Sequence, residues 1–138
     1  MVEINNQAKV EVEQEKLEKV AQSFLDYYNL SGFNLSLAFL DSEEMRRINQ
    51  TYRGINKTTD VLSFPASSKE KEEESFLGEI LFDYEQIKTQ AQREEEEELI
   101  FILIHGLLHL LGHTDETPED KKKMIKLGEE LMRNLSLK

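Results

Sequence analysis

Apolar side chains recur at helical spacing near both ends of the chain. The first such stretch covers residues 14–28, and its apolar positions are Leu17, Val20, Ala21, Phe24, Leu25 and Tyr28. The last stretch follows Thr117-Pro118-Glu119-Asp120, and its apolar positions are Met124, Leu127, Leu131 and Leu135. Spacings of three and four residues place side chains on one helix face. The pattern therefore predicts two amphipathic helices, the second one capped at Thr117.

A third helix is predicted from a capping signal. Asp41-Ser42-Glu43-Glu44 offers an Asp or Ser cap followed by acidic residues in the first turn, and this arrangement favours the start of a helix. We expect this helix to direct Met45, Ile48 and Tyr52 toward the core.

Short segments rich in apolar side chains, with partial alternation or a turn residue at their ends, predict the strands. They are residues 35–40, residues 61–64, which Pro65 ends, residues 78–82, and a short segment near residues 2–4.

The segment after Tyr84 is predicted to be helical as far as a polar stretch near Arg93. Residues 99–104 are rich in branched apolar side chains, so a buried strand is the alternative there. Acidic residues 94–98 suit the positive end of a helix dipole and Gly112 suits a helix end, so a helix through the core is favoured. The order of elements predicts an α+β fold, a small sheet of about four strands covered by helices. At 138 residues we expect one domain, residues 1–138.

Composition narrows the classes of function. The chain has 28 acidic and 17 basic residues, a formal charge of −11, and no cysteine. This charge argues against a protein that coats nucleic acid, and the lack of cysteine excludes disulfides, thiolate metal sites and a cysteine nucleophile. We expect the acidic run at residues 69–74 to be a mobile, solvated loop. The absence of a signal-peptide pattern and of long apolar runs predicts a soluble, cytoplasmic protein without membrane association.

All three histidines lie within nine positions, in the sequence His105-Gly106-Leu107-Leu108-His109-Leu110-Leu111-Gly112-His113-Thr114-Asp115. His105 and His109 are four residues apart, so their rings leave the same helix face and can bind one transition-metal ion. A turn at Gly112 would bring the chain back toward that ion. We predict Asp115 as the third ligand, with His113 as the alternative, or as a group that orients a ligand or contacts substrate. Three protein ligands leave a fourth position for water, as in catalytic metal sites.

The residue after His105 argues against a peptidase. Zinc peptidases carry a glutamate there that takes a proton from the metal-bound water, whereas this chain has Gly106. A metal ion that activates water and polarises a phosphoryl oxygen suits hydrolysis of a phosphodiester. That reaction needs a cation beside the phosphate, and we choose Arg53 as the catalytic arginine because its guanidinium matches phosphate geometry. The basic rim expected around it comprises Arg46, Arg47 and Lys57.

Two further blocks lie upstream of the histidines. Tyr52-Arg53 is followed by Thr59-Asp60-Val61-Leu62-Ser63-Phe64-Pro65, and Leu77-Gly78-Glu79-Ile80 comes later. With the histidine segment, these blocks resemble the YbeY family of bacterial rRNA-maturation endoribonucleases. The family motifs are Tyr-Arg, Thr-Asp-Val-Leu-Ser-Phe-Pro, Leu-Gly-Asp-Ile and His-Gly-x-Leu-His-Leu-x-Gly-Tyr-Asp-His. In this chain the similarity extends over about residues 35–115.

The resemblance implies a zinc-dependent endoribonuclease, specific for single strands, that acts in 16S rRNA 3′-end maturation and ribosome quality control. It implies one Zn²⁺ ion held by His105, His109 and Asp115, with Arg53 as the functional arginine of the cleft. It also implies a mixed sheet with the metal helix behind it. The implied partners are single-stranded RNA, 16S rRNA and the small ribosomal subunit, and no DNA is expected.

The chain departs from the family motif at its end. Asp115 stands where the family has its third histidine, and His113 and Thr114 stand where it has Tyr and Asp. A carboxylate is a competent zinc ligand, so we still expect a metal site, with the choice of third ligand open. Asn56 stands where the family usually has Asp, and no role is carried over to it.

Three functions are compatible with these residues. The first is a metal-dependent RNA hydrolase. The second is a zinc metallopeptidase-like hydrolase with an unconventional base, which Gly106 disfavours. The third is a non-catalytic, ribosome-associated factor whose metal only stabilises the fold, and it predicts that removal of the metal unfolds the domain.

Overall fold

The computed structural model describes residues 1–136. Within them, strands and helices follow in the order β1 (Val2–Asn6), α1 (Gln14–Tyr27), β2 (Asn34–Phe39), α2 (Ser42–Arg53), β3 (Val61–Pro65), α3 (Ser68–Glu73), β4 (Phe76–Phe82), α4 (Tyr84–Gln90), α5 (Glu95–Leu110) and α6 (Pro118–Ser136). Every strand and helix predicted from the sequence is present. None of the helices in these residues is long and apolar enough to cross a membrane.

The strands form one mixed sheet in the order β1-β2-β4-β3. β1 pairs with β2 and β2 pairs with β4 in parallel, whereas β3 runs antiparallel to β4 at the edge. Because successive side chains of a strand face opposite sides, Leu37 and Ile80 enter a larger core while Ala38 and Leu81 enter a smaller one. The predicted α+β class with a mixed sheet of about four strands is confirmed.

Helix α5 is the centre of the larger core. It packs against β3, β4 and the helices α1, α4 and α6, and nearly every side chain from Leu99 to Leu110 is buried. A helix that is apolar on all sides belongs in the interior of a domain. The same property explains why residues 99–104 also suited a buried strand. The helix prediction is confirmed, and α5 therefore presents His105 and His109 from a fixed scaffold.

The acidic run at residues 69–74 is mostly helix, so the prediction of a loop was wrong, although the run is solvated as predicted. Ser67 caps α3 by accepting from the Glu70 amide, and the Glu70 side chain accepts from the Ser67 amide in return. This reciprocal pair satisfies amides that a helix start would otherwise leave unpaired. None of the residues of α3 is buried, so apolar periodicity could not reveal the helix.

Tyr52 does not point into the core, contrary to the prediction from its spacing. Met45 and Asn49 are the buried residues of α2, while Tyr52 is 69% exposed. Within residues 1–136 its ring meets the ring of Phe64 alone, at 5.2 Å between centroids. Phe64 belongs to β3, the last strand of the sheet. The final turn of α2 therefore reaches the sheet edge, where no further strand covers Tyr52 within the described residues.

Candidate metal centre

His105 and His109 project side by side from the carboxyl-terminal half of α5. Their ring centroids are 4.7 Å apart, and the two Nε2 atoms are 3.2 Å apart. The residues between and around them are buried in the larger core, so the helix backbone that carries both rings is held in place. The four-residue spacing thus brings two nitrogen donors to one point, as predicted.

A turn after α5 brings Asp115 back to the histidines. Gly112 has a positive φ of 97°, a conformation that glycine adopts without a steric penalty. The His113 amide donates to the Leu108 carbonyl at 3.1 Å, which closes the helix end. Asp115 Oδ2 then lies 3.5 Å from His105 Nε2 and 3.7 Å from His109 Nε2.

The spacing of these three donor atoms fits one metal ion. Nitrogen and oxygen ligands bind zinc at about 2.0–2.2 Å, so in a tetrahedral site they lie about 3.3–3.6 Å from one another. The observed separations of 3.2, 3.5 and 3.7 Å bracket that value. His105, His109 and Asp115 can therefore hold a metal ion together. Their assignment as the ligands stays a prediction.

Hydrogen bonding and burial keep both imidazoles suited to a cation. His109 Nδ1 lies 3.0 Å from the His113 carbonyl oxygen, and because a carbonyl only accepts, this nitrogen carries the proton and leaves Nε2 free to coordinate. Burial, reinforced by His109, lowers the pKa of His105 below its ordinary value of 6.5, against the opposing charges of Asp115 and Asp60. At neutral pH His105 is then uncharged, which is the form that binds metals.

The three donor residues line a cleft of about 550 Å³ beside the edge strand β3. Val61, Ser63 and Pro65 of that strand line one wall. Arg53, at the end of α2, lines the same cleft. Its side chain is exposed, and no hydrogen bond or ion pair ties it to another residue in the described part of the chain. The structure thus places Arg53, the predicted arginine, in the same cleft as the three predicted metal donors.

Comparison with known proteins identifies the family to which this fold and cleft belong. The model of the family described as Endoribonuclease YbeY matches residues 3–136. The chain belongs to the YbeY family. Endoribonuclease YbeY of Clostridioides difficile is 33% identical over 144 aligned residues, which cover 96% of this chain and 94% of that protein. The relative from Acetivibrio thermocellus is 37% identical over 153 residues, with the same coverage of 96% and 94%.

Two further similarities concern a longer relative and a solved structure. Endoribonuclease YbeY of Myxococcus xanthus is 43% identical over 117 residues, which are 81% of this chain but 40% of that longer protein. The solution structure of TM1509 from Thermotoga maritima superposes with a TM-score of 0.57 at 24% identity, covering 100% of this chain and 96% of that one. At this identity the structural likeness supports the fold.

Gly106 of this YbeY-family chain faces the sheet rather than the cleft. A Cβ atom at this position would lie 3.0 Å from Ile80 Cγ2 and 3.2 Å from Ser63 Oγ. Ser63 Oγ also donates to the Gly106 carbonyl at 3.2 Å. A side chain at this position would crowd the side chains of Ile80 and Ser63, so the glycine fits the packing of α5 on the sheet and the general base that zinc peptidases carry here is absent.

The basic rim predicted around the cleft is not formed. Arg46 pairs with Glu43 and Asn56, and Arg47 pairs with Glu44. These two arginines and Lys57 are not among the residues that line the cleft. Each of these arginines lies three residues after a glutamate on α2, and the glutamate neutralises its charge locally. Arg53, which lacks such a neighbour in the sequence, is the cation of this family member that faces the cleft.

Asp60 is a site residue that the sequence analysis did not single out. It lines the Arg53 cleft and also a second cleft of about 410 Å³, in which His105 and Asp115 recur. Its carboxylate accepts from Gln90 Nε2 at 2.7 Å. The available signal was its place in the YbeY block of residues 59–65. Asp60 therefore holds negative charge next to His105, where the two clefts meet.

Proposed function

We propose that this chain is a metal-dependent endoribonuclease, a single hydrolase domain that cuts single-stranded RNA. One observation carries the proposal. Nε2 of His105, Nε2 of His109 and Oδ2 of Asp115 converge at metal-ligand spacing on a cleft that Arg53 also lines. Membership of a family described as endoribonucleases supports RNA as the substrate.

In this proposal His105, His109 and Asp115 hold one Zn²⁺ ion. Two imidazole nitrogens and a carboxylate oxygen are a donor set that suits zinc, and three protein donors leave a coordination position open. The bound ion would act as a Lewis acid that activates water and polarises a phosphoryl oxygen. The protein contributes the rigid helix α5 and the His113 carbonyl, which keep the donors in register.

Arg53 is the proposed catalytic arginine. Its guanidinium is exposed at the cleft and has no partner within residues 1–136, so it can bind a phosphate without first breaking an ion pair. A guanidinium can donate two parallel hydrogen bonds to phosphate oxygens. Its fixed charge would stabilise the negative charge that develops on those oxygens as the phosphodiester is cleaved.

An unpaired strand fits this site better than a duplex does. The His105 side chain is only 17% exposed, so the scissile phosphate must enter the cleft to approach the donors. Unpaired nucleotides can splay their bases apart and let the backbone enter, whereas a helical duplex holds its phosphates on a stiff surface. The resemblance of the motif blocks supports a role in 16S rRNA 3′-end maturation and ribosome quality control. In that role the protein would act in the cytoplasm, with the small ribosomal subunit as its partner.

The test is cleavage of an end-labelled single-stranded RNA by the zinc-loaded chain and by its His109→Ala variant, purified identically. We expect cleavage by the unaltered chain and none by the variant. Equal cleavage by both would place the activity elsewhere or in a contaminant, and no cleavage by either would contradict an intrinsic nuclease. Product ends carrying a 2′,3′-cyclic phosphate would show that the ribose 2′-hydroxyl, rather than water, is the nucleophile.

A further inference from the structure

Tyr52 is a large exposed aromatic side chain at the end of α2, next in the chain to a residue of the proposed active-site cleft. It is 69% exposed, and its neighbour in the chain, Arg53, lines the cleft. Its ring contact in the described part of the chain is with Phe64, at an interplanar angle of 68°. Phe64 packs against the smaller core, on the face of β3 opposite to Ser63 and Pro65, which line the cleft. The Tyr52 ring is thus anchored at the outer edge of the sheet with most of its surface facing solvent, and Arg53 connects this edge with the cleft.

An exposed ring in this position has a specific use if the cleft binds RNA. Bases of a single strand stack on aromatic side chains, and this contact tolerates any base because every base has a flat π-face. Arg53 would hold a phosphate one residue away along α2. A phosphate contact next to an aromatic platform is the combination that binds single-stranded nucleic acid.

Charge strengthens the case for stacking in this chain. The formal charge is −11, and acidic neighbours pair with Arg46 and Arg47, so attraction to the phosphate backbone is weak. Proteins that bind RNA mainly through charge release many counterions and neutralise many phosphates. Here Arg53 is the arginine that lines this cleft, while Lys121 and Arg93, which pairs with Glu98 and Glu129, line the adjoining one. With so few cations at the donors and a negative total charge, contacts with the bases gain weight in the affinity.

The geometry points to Tyr52 as a stacking platform for an unpaired nucleobase that neighbours the phosphate held at Arg53. The inference rests on the proposed function, because it assumes that single-stranded RNA occupies the cleft. It assigns to Tyr52 the binding and orientation of the substrate and no part in the chemical step.

The experiment uses a short single-stranded oligoribonucleotide that contains 2-aminopurine, whose fluorescence falls when the base stacks. Titrations are made in a His109→Ala background, so that the RNA stays intact. Tyr52→Phe keeps the ring, whereas Tyr52→Leu keeps apolar bulk but removes the π-face. Tyr27→Leu is the matched control, because Tyr27 is 60% exposed and has a similar edge contact with Tyr28, at 5.0 Å between centroids.

We expect Tyr52→Leu to weaken RNA binding roughly 5- to 160-fold and to reduce the quenching of 2-aminopurine. Tyr52→Phe and Tyr27→Leu should bind as the parent does. In the zinc-loaded chain with His109 restored, Tyr52→Leu should raise KM with little change in kcat, because stacking acts in the ground state and the transition state alike.

The outcomes separate this inference from the proposed function. If the parent binds RNA and Tyr52→Leu binds equally well, stacking at Tyr52 is overturned while the nuclease proposal stands. If Tyr52→Phe loses as much affinity as Tyr52→Leu, the hydroxyl group rather than the ring makes the contact, and the stacking role is again overturned. If the parent binds no RNA and the unaltered chain cleaves none, both proposals fail together.

Discussion

His109 Nδ1 lies 3.0 Å from the carbonyl oxygen of His113, across the end of α5. The backbone of His113, and not its exposed imidazole, therefore contacts the donor pair. This contact fixes the His109 tautomer with Nε2 toward His105 and Asp115. In the alternative assignment, with His113 as the third ligand, the imidazole would have to reach the same point. The turn at Gly112 instead brings Asp115 there, and the two assignments make different predictions.

Asp115→Ala should remove a ligand, whereas His113→Ala should not. We expect Asp115→Ala to weaken zinc binding by roughly 100-fold or more, since loss of even an outer partner of a ligand costs 10- to 100-fold. His113→Ala retains the carbonyl that orients His109 and should bind zinc almost as the unaltered chain does. Isothermal titration with zinc and metal analysis of the purified variants measure this. A larger loss in His113→Ala than in Asp115→Ala would reverse the assignment.

Arg53→Ala should impair catalysis and spare the metal. We expect kcat/KM for single-stranded RNA to fall by roughly 10²- to 10³-fold, because a cation aimed at developing charge is lost. Arg53→Lys should recover only part of this, since an ammonium cannot donate the paired hydrogen bonds of a guanidinium. Arg47→Ala is the control, because Arg47 lies on the same helix and pairs with Glu44 away from the cleft. Loss of zinc in Arg53→Ala, or unchanged cleavage, would contradict the role.

Gly78→Ala should destabilise the contact between the sheet and the end of α5. An added Cβ would lie 2.6 Å from the Phe64 carbonyl oxygen and 2.8 Å from Leu110 Cδ2, at a φ of +154°. Strain and crowding of this kind cost about 2–4 kcal/mol of unfolding free energy. Gly32→Ala is the control, since no atom lies within 4 Å of its added Cβ. Urea unfolding of both variants measures the difference, and equal midpoints would show that the sheet yields at Gly78.

The parts of the site that depend on local geometry could be predicted from the sequence, and the parts that depend on where the sheet ends could not. Two rings four residues apart on a continuous helix must converge, and a glycine after the helix reverses the chain toward Asp115. The helical spacing of Tyr52 places it on the face of α2 that carries Met45 and Ile48. Its exposure depends on β3 being the edge strand of the sheet, and strand order could not be predicted from the sequence. Asp60 and His105 share a cleft because α5 packs against β3, and this tertiary contact could not be predicted from the sequence.

Removal of the metal should leave the fold standing. The larger core is built from side chains of α1, the sheet, α5 and α6 that do not include the donors, and Asp115 is exposed beyond the end of α5. With zinc 100-fold above its Kd, binding adds about 2.7 kcal/mol of stability, equivalent to roughly 10 °C in Tm for a domain of this size. A chelator should therefore lower Tm by that amount while far-ultraviolet circular dichroism at 25 °C keeps its helical signal. A zinc-free chain that is already unfolded at 25 °C would favour the non-catalytic factor with a structural metal, because only in that case does the fold depend on the ion.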